Sequence, residues 1–225
     1  FSKEKKFIKN FPILINNPKI VIKFLDKYET FKYLKKKKFY HPRFCYLLSS
    51  NEKIKIPFFL KKRSGSGNQN YKVINSKEEL KYLKSLNKKE WIAQEFLNKG
   101  KEYTCALVKL GNFSSSLIME RKLFKDKTYY AKIVKNKKLE KTLKKIAYDI
   151  GLYGCINVQL KIYKNKITIF EINPRLSSTV LMRHILGFKD CEWWVKDYLG
   201  IKTYKKNISK VGSKIIRVSE ERIIN

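Results

Sequence analysis

The sequence predicts an α+β fold dominated by antiparallel strands, and three observations carry that expectation. Short β-like runs follow one another with brief polar turns between them, helical segments are few and separated, and no regular alternation of strand and helix appears. No internal repeat is found. At 225 residues and 43% hydrophobic content the chain can bury one large core or two small ones. Aromatic content of 14% and apolar clusters recurring from Pro12 to Ile216 mark a globular protein, not a disordered one.

Taken in order, residues 12 to 22 read as two short β-like runs parted by an Asn-Asn-Pro turn signal. The chain starts at Phe1 without Met, so this part is expected to be the remnant of a preceding domain whose missing strands would pair here. Asp26 to Lys38 is expected as a helix, with Tyr28, Phe31 and Leu34 on one face and Asp26 near its start. Lys53 to Lys61 alternates as a strand and leads through the glycine-rich SGSGNQN segment into YKVIN, giving a hairpin with a flexible tip. Ser76 and Glu79 form a capping box that starts a helix over Lys77 to Leu86. Strands are expected at Trp91–Phe96, Glu102–Leu110, Ser116–Leu123 and Thr128–Val134, and a helix over Asn136–Ile150 stopped by Gly151. Two closing strands, Cys155–Tyr163 and Ile167–Asn173, precede helical segments near Thr179–Leu186 and Glu192–Leu199.

The net charge of +33 suggests nucleic acid or an anionic membrane as partner. Only seven of the 52 cations are arginine, the better residue for bidentate phosphate recognition, and the lysines are spread almost evenly. The excess is therefore read as a compositional bias on solvated surface positions, with neither nucleic acid nor membrane as partner. The basic start of the chain is broken by Asn10, Pro12, Asn16 and Asn17 before it reaches signal-peptide length, and no run is long enough for a membrane helix. Cys45, Cys105, Cys155 and Cys191 lie far apart, which suits a reducing cytoplasm better than a zinc site or a disulfide framework.

The most informative stretch is Cys155 to Arg175. Apolar residues at Ile156, Val158, Leu160 and Ile162 leave Asn157 and Gln159 on the other face, and Glu171 and Asn173 share a face in the next strand. A three-residue loop at Lys164, Asn165 and Lys166 would pair Tyr163 with Ile167, setting Gln159 opposite Glu171 and Asn157 opposite Asn173. Oxygen-bearing side chains around a single carboxylate suit Mg²⁺, and Arg175 stands two residues on to clamp a phosphate. The same pattern fits the solvent-facing side of an amphipathic hairpin, and pattern alone does not choose between them. SGSGNQN, flanked by Lys61 and Arg63, fits a phosphate cradle or an ordinary turn. WIAQEFLNKGKEYTC offers an apolar strand, a short linker and a carboxylate at Glu102, which serve equally for a purine nucleoside or for a plain strand, turn and strand.

In this order the pieces resemble the ATP-grasp superfamily, particularly its carbamoyl-phosphate-synthetase-like branch. The resemblance spans about residues 26 to 187 and is carried by DKYETF, the basic strand before the glycine-rich flap, the Gln-Glu linker, NVQ and above all EINPR. It implies two α+β lobes whose antiparallel sheets grip ATP between them. Residues 1–25 would be left from a preceding domain, 26–93 would form the N-terminal lobe with the flap, 94–200 the C-terminal lobe, and 201–225 an extension.

By this resemblance Lys61 contacts the ATP phosphates, and Ser64, Gly65, Ser66 and Gly67 close over them. The linker that starts at Gln94 holds adenine through the backbone of Glu95, Phe96 and Leu97, Glu102 holds the ribose, and Asn157 joins the nucleotide site. Gln159, Glu171 and Asn173 hold two Mg²⁺ ions, with Mn²⁺ as a substitute. Lys61 and Arg175 are the catalytic cations, Arg175 stabilising the transferring phosphoryl group. The implied reaction joins a small-molecule carboxylate to an amine or ammonia through an acyl phosphate. Arg183 and His184 could meet that carboxylate or lie on the surface. A catalytically inactive nucleotide-binding module and a basic nucleic-acid-binding protein stay open as alternatives.

Overall fold

A computed structural model of the chain describes residues 13–46, 54–65, 71–82 and 89–218. The first described element corrects the sequence expectation. Residues Pro18–Leu25 form helix α1, where a second β-like run was expected. Asn17 is its N-cap, accepting from the Lys19 amide at 2.9 Å, and Pro18 occupies the first helical turn. Asn-Pro is both a turn signal and a helix start, because proline's missing N–H costs nothing where the first turn has no partner to offer. Ile20 and Phe24, one turn apart, are buried. Helix α2 (Lys27–Lys36) follows at once, capped by Asp26, whose carboxylate accepts from the amides of Tyr28 and Glu29 at 2.8 and 3.3 Å.

Strands β1 (Phe44–Tyr46), β2 (Phe58–Lys62), β3 (Tyr71–Ile74) and β4 (Trp91–Glu95) form an antiparallel four-stranded sheet in the order β1, β4, β2, β3. Strand β2 starts at Phe58, later than the expected Lys53, since Pro57 lacks the N–H a ladder requires. Helix α3 (Lys77–Tyr82) lies between β3 and β4. Its cap differs in detail from a standard box: Ser76 Oγ accepts from the Glu79 amide at 3.3 Å, while Glu79 reaches back to the amide of Asn75 at 2.8 Å.

The larger sheet contains β5 (Lys101–Leu110), β6 (Phe113–Phe124), β7 (Lys127–Ile133), β8 (Gly154–Tyr163), β9 (Lys166–Asn173) and β10 (Lys214–Ile216). Its order is β10, β7, β6, β5, β8, β9, all antiparallel. Helix α4 (Lys137–Asp149), capped by Asn136, buries Leu139, Leu143, Ile146 and Ala147 against one face. Leu139, Leu143 and Ile146 each contribute roughly 1.5–3 kcal/mol by this burial. This core also takes in Ile20 and Phe24 of α1, Phe31 and Leu34 of α2, and Phe44 and Ile92 of the smaller sheet. On the other face, helices α5 (Val180–Ile185) and α6 (Asp190–Tyr198) cover one end, where Phe188, Trp193 and Trp194 pack on Ala106, Val108 and Met119. The rest of that face stays open toward the smaller sheet.

The β8–β9 hairpin corrects one expectation and keeps its consequence. The turn has two residues, Lys164 and Asn165, both at positive φ, and pairs Tyr163 with Lys166 where a three-residue loop was expected. The left-handed values of 45° and 61° define the tight turn whose twist matches the flanking strands. Further along, the register shifts between Leu160, paired with Ile169, and Gln159, paired with Glu171. Phe170 is the extra residue of this bulge. The shorter turn and the bulge cancel, so Gln159 faces Glu171 and Asn157 faces Asn173.

Candidate active site

Between the two sheets lies a cleft of about 370 Å³. The smaller sheet supplies Phe59, Lys61, Tyr71 and Gln94, and the larger sheet supplies Glu102, Arg121, Gln159, Lys161, Phe170, Glu171 and Asn173. Alternation explains the selection: Phe59 pairs with Gln94 across β2 and β4, and Glu102, Gln159 and Glu171 emerge on one face of three neighbouring strands. The Tyr71 hydroxyl donates to Asp126 at 2.9 Å, joining β3 to the β6–β7 turn at the cleft's edge.

One end of the cleft is aromatic. The Phe59 and Phe96 rings stand 4.9 Å apart, with Leu97, Leu123 and Phe170 completing the slot. Within it Gln94 is 2% exposed, and its Oε1 has no hydrogen-bond partner. An unpaired buried amide oxygen costs about 1–3 kcal/mol, which a ligand donor would recover. Of the expected linker groups, the Leu97 carbonyl accepts from Lys161 Nζ at 2.6 Å and the Glu95 amide donates to the Arg43 carbonyl at 2.8 Å. The Glu95 carboxylate turns away to accept from the Arg43 amide at 3.0 Å, so Gln94, Phe96 and Leu97 line the cleft while Glu95 does not.

Charged side chains stand against these rings. Lys61 Nζ lies over the Phe59 and Phe170 rings at 4.9 and 5.9 Å. Burial pushes its pKa down to about 8, against the opposing pull of Glu171 and with a further push from Lys27. Lys27, also lowered by burial, donates to the Gly65 carbonyl at 2.8 Å. Arg175 also lines the cleft and donates to the Leu176 carbonyl at 3.1 Å. Among the described residues, five cationic side chains (Lys27, Lys61, Arg121, Lys161 and Arg175) and three carboxylates (Glu102, Asp126 and Glu171) line the cleft, a local excess of two positive charges. That balance suits a polyanion.

The expected residues divide clearly. Lys61, Gly65, Gln94, Phe96, Leu97, Glu102, Gln159, Glu171, Asn173 and Arg175 converge on the cleft, and Ser64 lies exposed beside Gly65. Ser66 and Gly67 lie outside the described residues. Asn157 does not line the cleft: it is 1% exposed, and its Nδ2 donates to Thr104 Oγ1 at 2.8 Å and the Cys105 carbonyl at 3.2 Å. Arg183 is neither a surface residue nor a cleft residue. It is buried against Asp190, donating from Nε to both carboxylate oxygens at 2.8 and 2.9 Å.

Sequence reasoning missed Lys27, Lys161, Phe170 and Arg121. Arg121 on β6 reaches across β5, donating to Glu102 Oε1 from Nε and Nη2 at 3.0 and 2.6 Å and to Gln159 Oε1 from Nη2 at 2.8 Å. No local motif marks it; the signal lies in the pairing of β5 with β6, where Tyr103 faces Glu120 and the next residues along are Glu102 and Arg121. Gln159, Glu171 and Asn173 offer a hard-oxygen donor set with one negative charge. Among the described residues no cluster of three or more His, Cys, Asp or Glu competes with it. Such a set fits Mg²⁺, which takes few protein ligands and completes its shell with water and phosphate oxygens.

An ATP-grasp domain model matches residues 24–179, and the chain belongs to that family. The MG011 homolog of Mycoplasma pneumoniae is 31% identical over 202 residues, covering 81% of this chain and 65% of the relative; the chain thus spans about two thirds of that protein's length. A 42-residue stretch is 40% identical to the carbamoyl phosphate synthase large chain of Helicobacter pylori, covering 19% of this chain and 4% of that one. In three dimensions the chain is similar to carboxyaminoimidazole ribonucleotide synthase from Aspergillus clavatus complexed with ATP. The TM-score is 0.74 at 12% identity, over 95% of this chain and 61% of that one, a likeness of fold.

Proposed function

We propose that the chain binds Mg-ATP in this cleft and uses it to activate a small carboxylate for attack by an amine or ammonia. The observation that carries the reading is the cleft's lining: aromatic rings and an unpaired Gln94 oxygen, beside two half-buried lysines, Arg175 and the Glu171 carboxylate. Adenine fits the slot, its amino group donating to Gln94 Oε1, and Glu102 accepts from the ribose hydroxyls. Lys61 and Lys27 neutralise the phosphates, favoured there because an anion restores the charge that burial opposes.

Gln159, Glu171 and Asn173 would hold Mg²⁺, which supplies charge neutralisation at the phosphate oxygens when bound. Arg175 orients the γ-phosphoryl group and stabilises negative charge as the substrate carboxylate attacks it, the bond to the bridging oxygen breaks and ADP leaves. The acyl phosphate so formed is opened by the nitrogen nucleophile, phosphate leaves, and one nucleophile proton is lost to solvent. The sheltered walls keep water from the acyl phosphate.

The first test is thermal melting with Mg²⁺ alone, ATP alone and both. A ligand at about 100 times its Kd adds roughly 2.7 kcal/mol. For this size that is a shift of roughly 5–10 °C, expected only with both. No shift with both would refute the nucleotide site. ADP release dependent on an added carboxylate and amine then separates a ligase from an inactive nucleotide-binding module.

A further inference from the structure

A chain of hydrogen bonds behind the metal donors has a fixed polarity. With its Nδ2 held by Thr104 and Cys105, Asn157 turns Oδ1 toward Gln159 Nε2 at 3.4 Å. Gln159 therefore presents its oxygen outward, and that oxygen is the one Arg121 Nη2 donates to at 2.8 Å. A guanidinium stays protonated at any working pH. A Mg²⁺ ligated by the same oxygen at its usual distance of about 2.1 Å would stand within roughly 5 Å of that guanidinium, two cations on one neutral amide. The cleft already carries an excess of positive charge, and Glu171 is the donor set's single carboxylate. A triphosphate reverses that balance.

We propose that Arg121 and a divalent cation are alternative partners of Gln159 Oε1, so that Arg121 keeps the metal site from filling until a nucleotide is present. The proposal rests on Gln159, Glu171 and Asn173 being the metal donors. Asn157 is then a positioning residue, which fixes which atom of the Gln159 amide is offered. When nucleotide arrives, its phosphates offset the repulsion, and Arg121 keeps Glu102 as a partner after releasing Gln159.

The test is Mn²⁺ binding without nucleotide, read by electron paramagnetic resonance, in folded variants checked by melting. The wild type and Arg121→Lys, which keeps the charge, are expected to bind Mn²⁺ weakly. Arg121→Met is expected to bind it at least about tenfold tighter, since a full positive charge near the ion is gone; Arg121→Gln replaces it if the Met variant does not fold. The gain should persist in Arg121→Met/Glu102→Gln. Equal affinity in wild type and Arg121→Met, or a gain abolished by Glu102→Gln, overturns the proposal. The underlying metal assignment fails separately: Glu171→Gln placed in the Arg121→Met background should abolish Mn²⁺ binding, and retained binding would show that these are not the donors.

Discussion

Arg183 and Arg121 both pair with a carboxylate beside the same cleft, yet their surroundings differ. Arg183 and Asp190 are each 1% exposed, and the guanidinium is further held by Ser177 Oγ at 2.9 Å and Thr179 Oγ1 at 3.3 Å. Arg121 and Glu102 are 10% and 22% exposed, and Arg121 donates to Glu102, to Gln159 and, from Nη1, to Thr128 Oγ1 at 3.4 Å. A sealed pair with several fixed partners braces the segment after Arg175, where Ser177 lines the cleft. A pair facing the cleft, with its cation shared, can exchange partners when a ligand arrives. Each guanidinium has three side-chain partners, so burial and access to the cleft are what separate the two pairs.

The largest effect should come from breaking the sealed pair. Arg183→Met leaves the Asp190 charge buried and uncompensated, with an expected loss of about 3–5 kcal/mol in urea unfolding. Arg183→Met/Asp190→Leu should recover most of it. A single-variant loss below about 1 kcal/mol would erase the contrast between the two pairs.

Lys61 sharpens the comparison from the binding side. Lys61→Met should leave stability intact, because it removes a charge that burial disfavours, but should weaken Mg-ATP binding by roughly 10–100-fold, the worth of a hydrogen bond to a charged group. The pH dependence follows from the free value of about 8. A bound phosphate favours the protonated amine, so above that value binding takes up a proton. Wild-type affinity is therefore expected to be flat below pH 8 and to fall above it, by up to about tenfold per unit. Calorimetry across pH 7 to 9.5 checks this, and Lys61→Met should lack the decline. The smallest effect is expected at Glu102. Glu102→Ala should weaken ATP by about 1–2 kcal/mol and 2′-deoxy-ATP by less; equal losses in competition binding would remove the ribose role.

What could be read from the sequence depended on how local its cause was. EINPR and NVQ were legible because a two-residue period fixes which side chains share a face, and pairing then brings Gln159 to Glu171. The turn length was not, since Asn165 tolerates positive φ in turns of either length. Asn-Pro at Asn17–Pro18 misled because the same dipeptide serves a turn and a helix start. Arg121 escaped notice because its partners are 19 and 38 residues away on other strands. Arg183 was noticed but misplaced, as its pairing with Asp190 depends on how the chain turns between α5 and α6.

The bulge at Phe170 also has a consequence for how this site could diversify. Phe170 sits outside the parity of its strand, so its loss would leave Ile169 against Leu160 and Glu171 against Gln159. The aromatic wall beside Lys61 is thus a removable module. Lineages could resize the slot by one ring at this position without disturbing the pairing of Gln159 with Glu171.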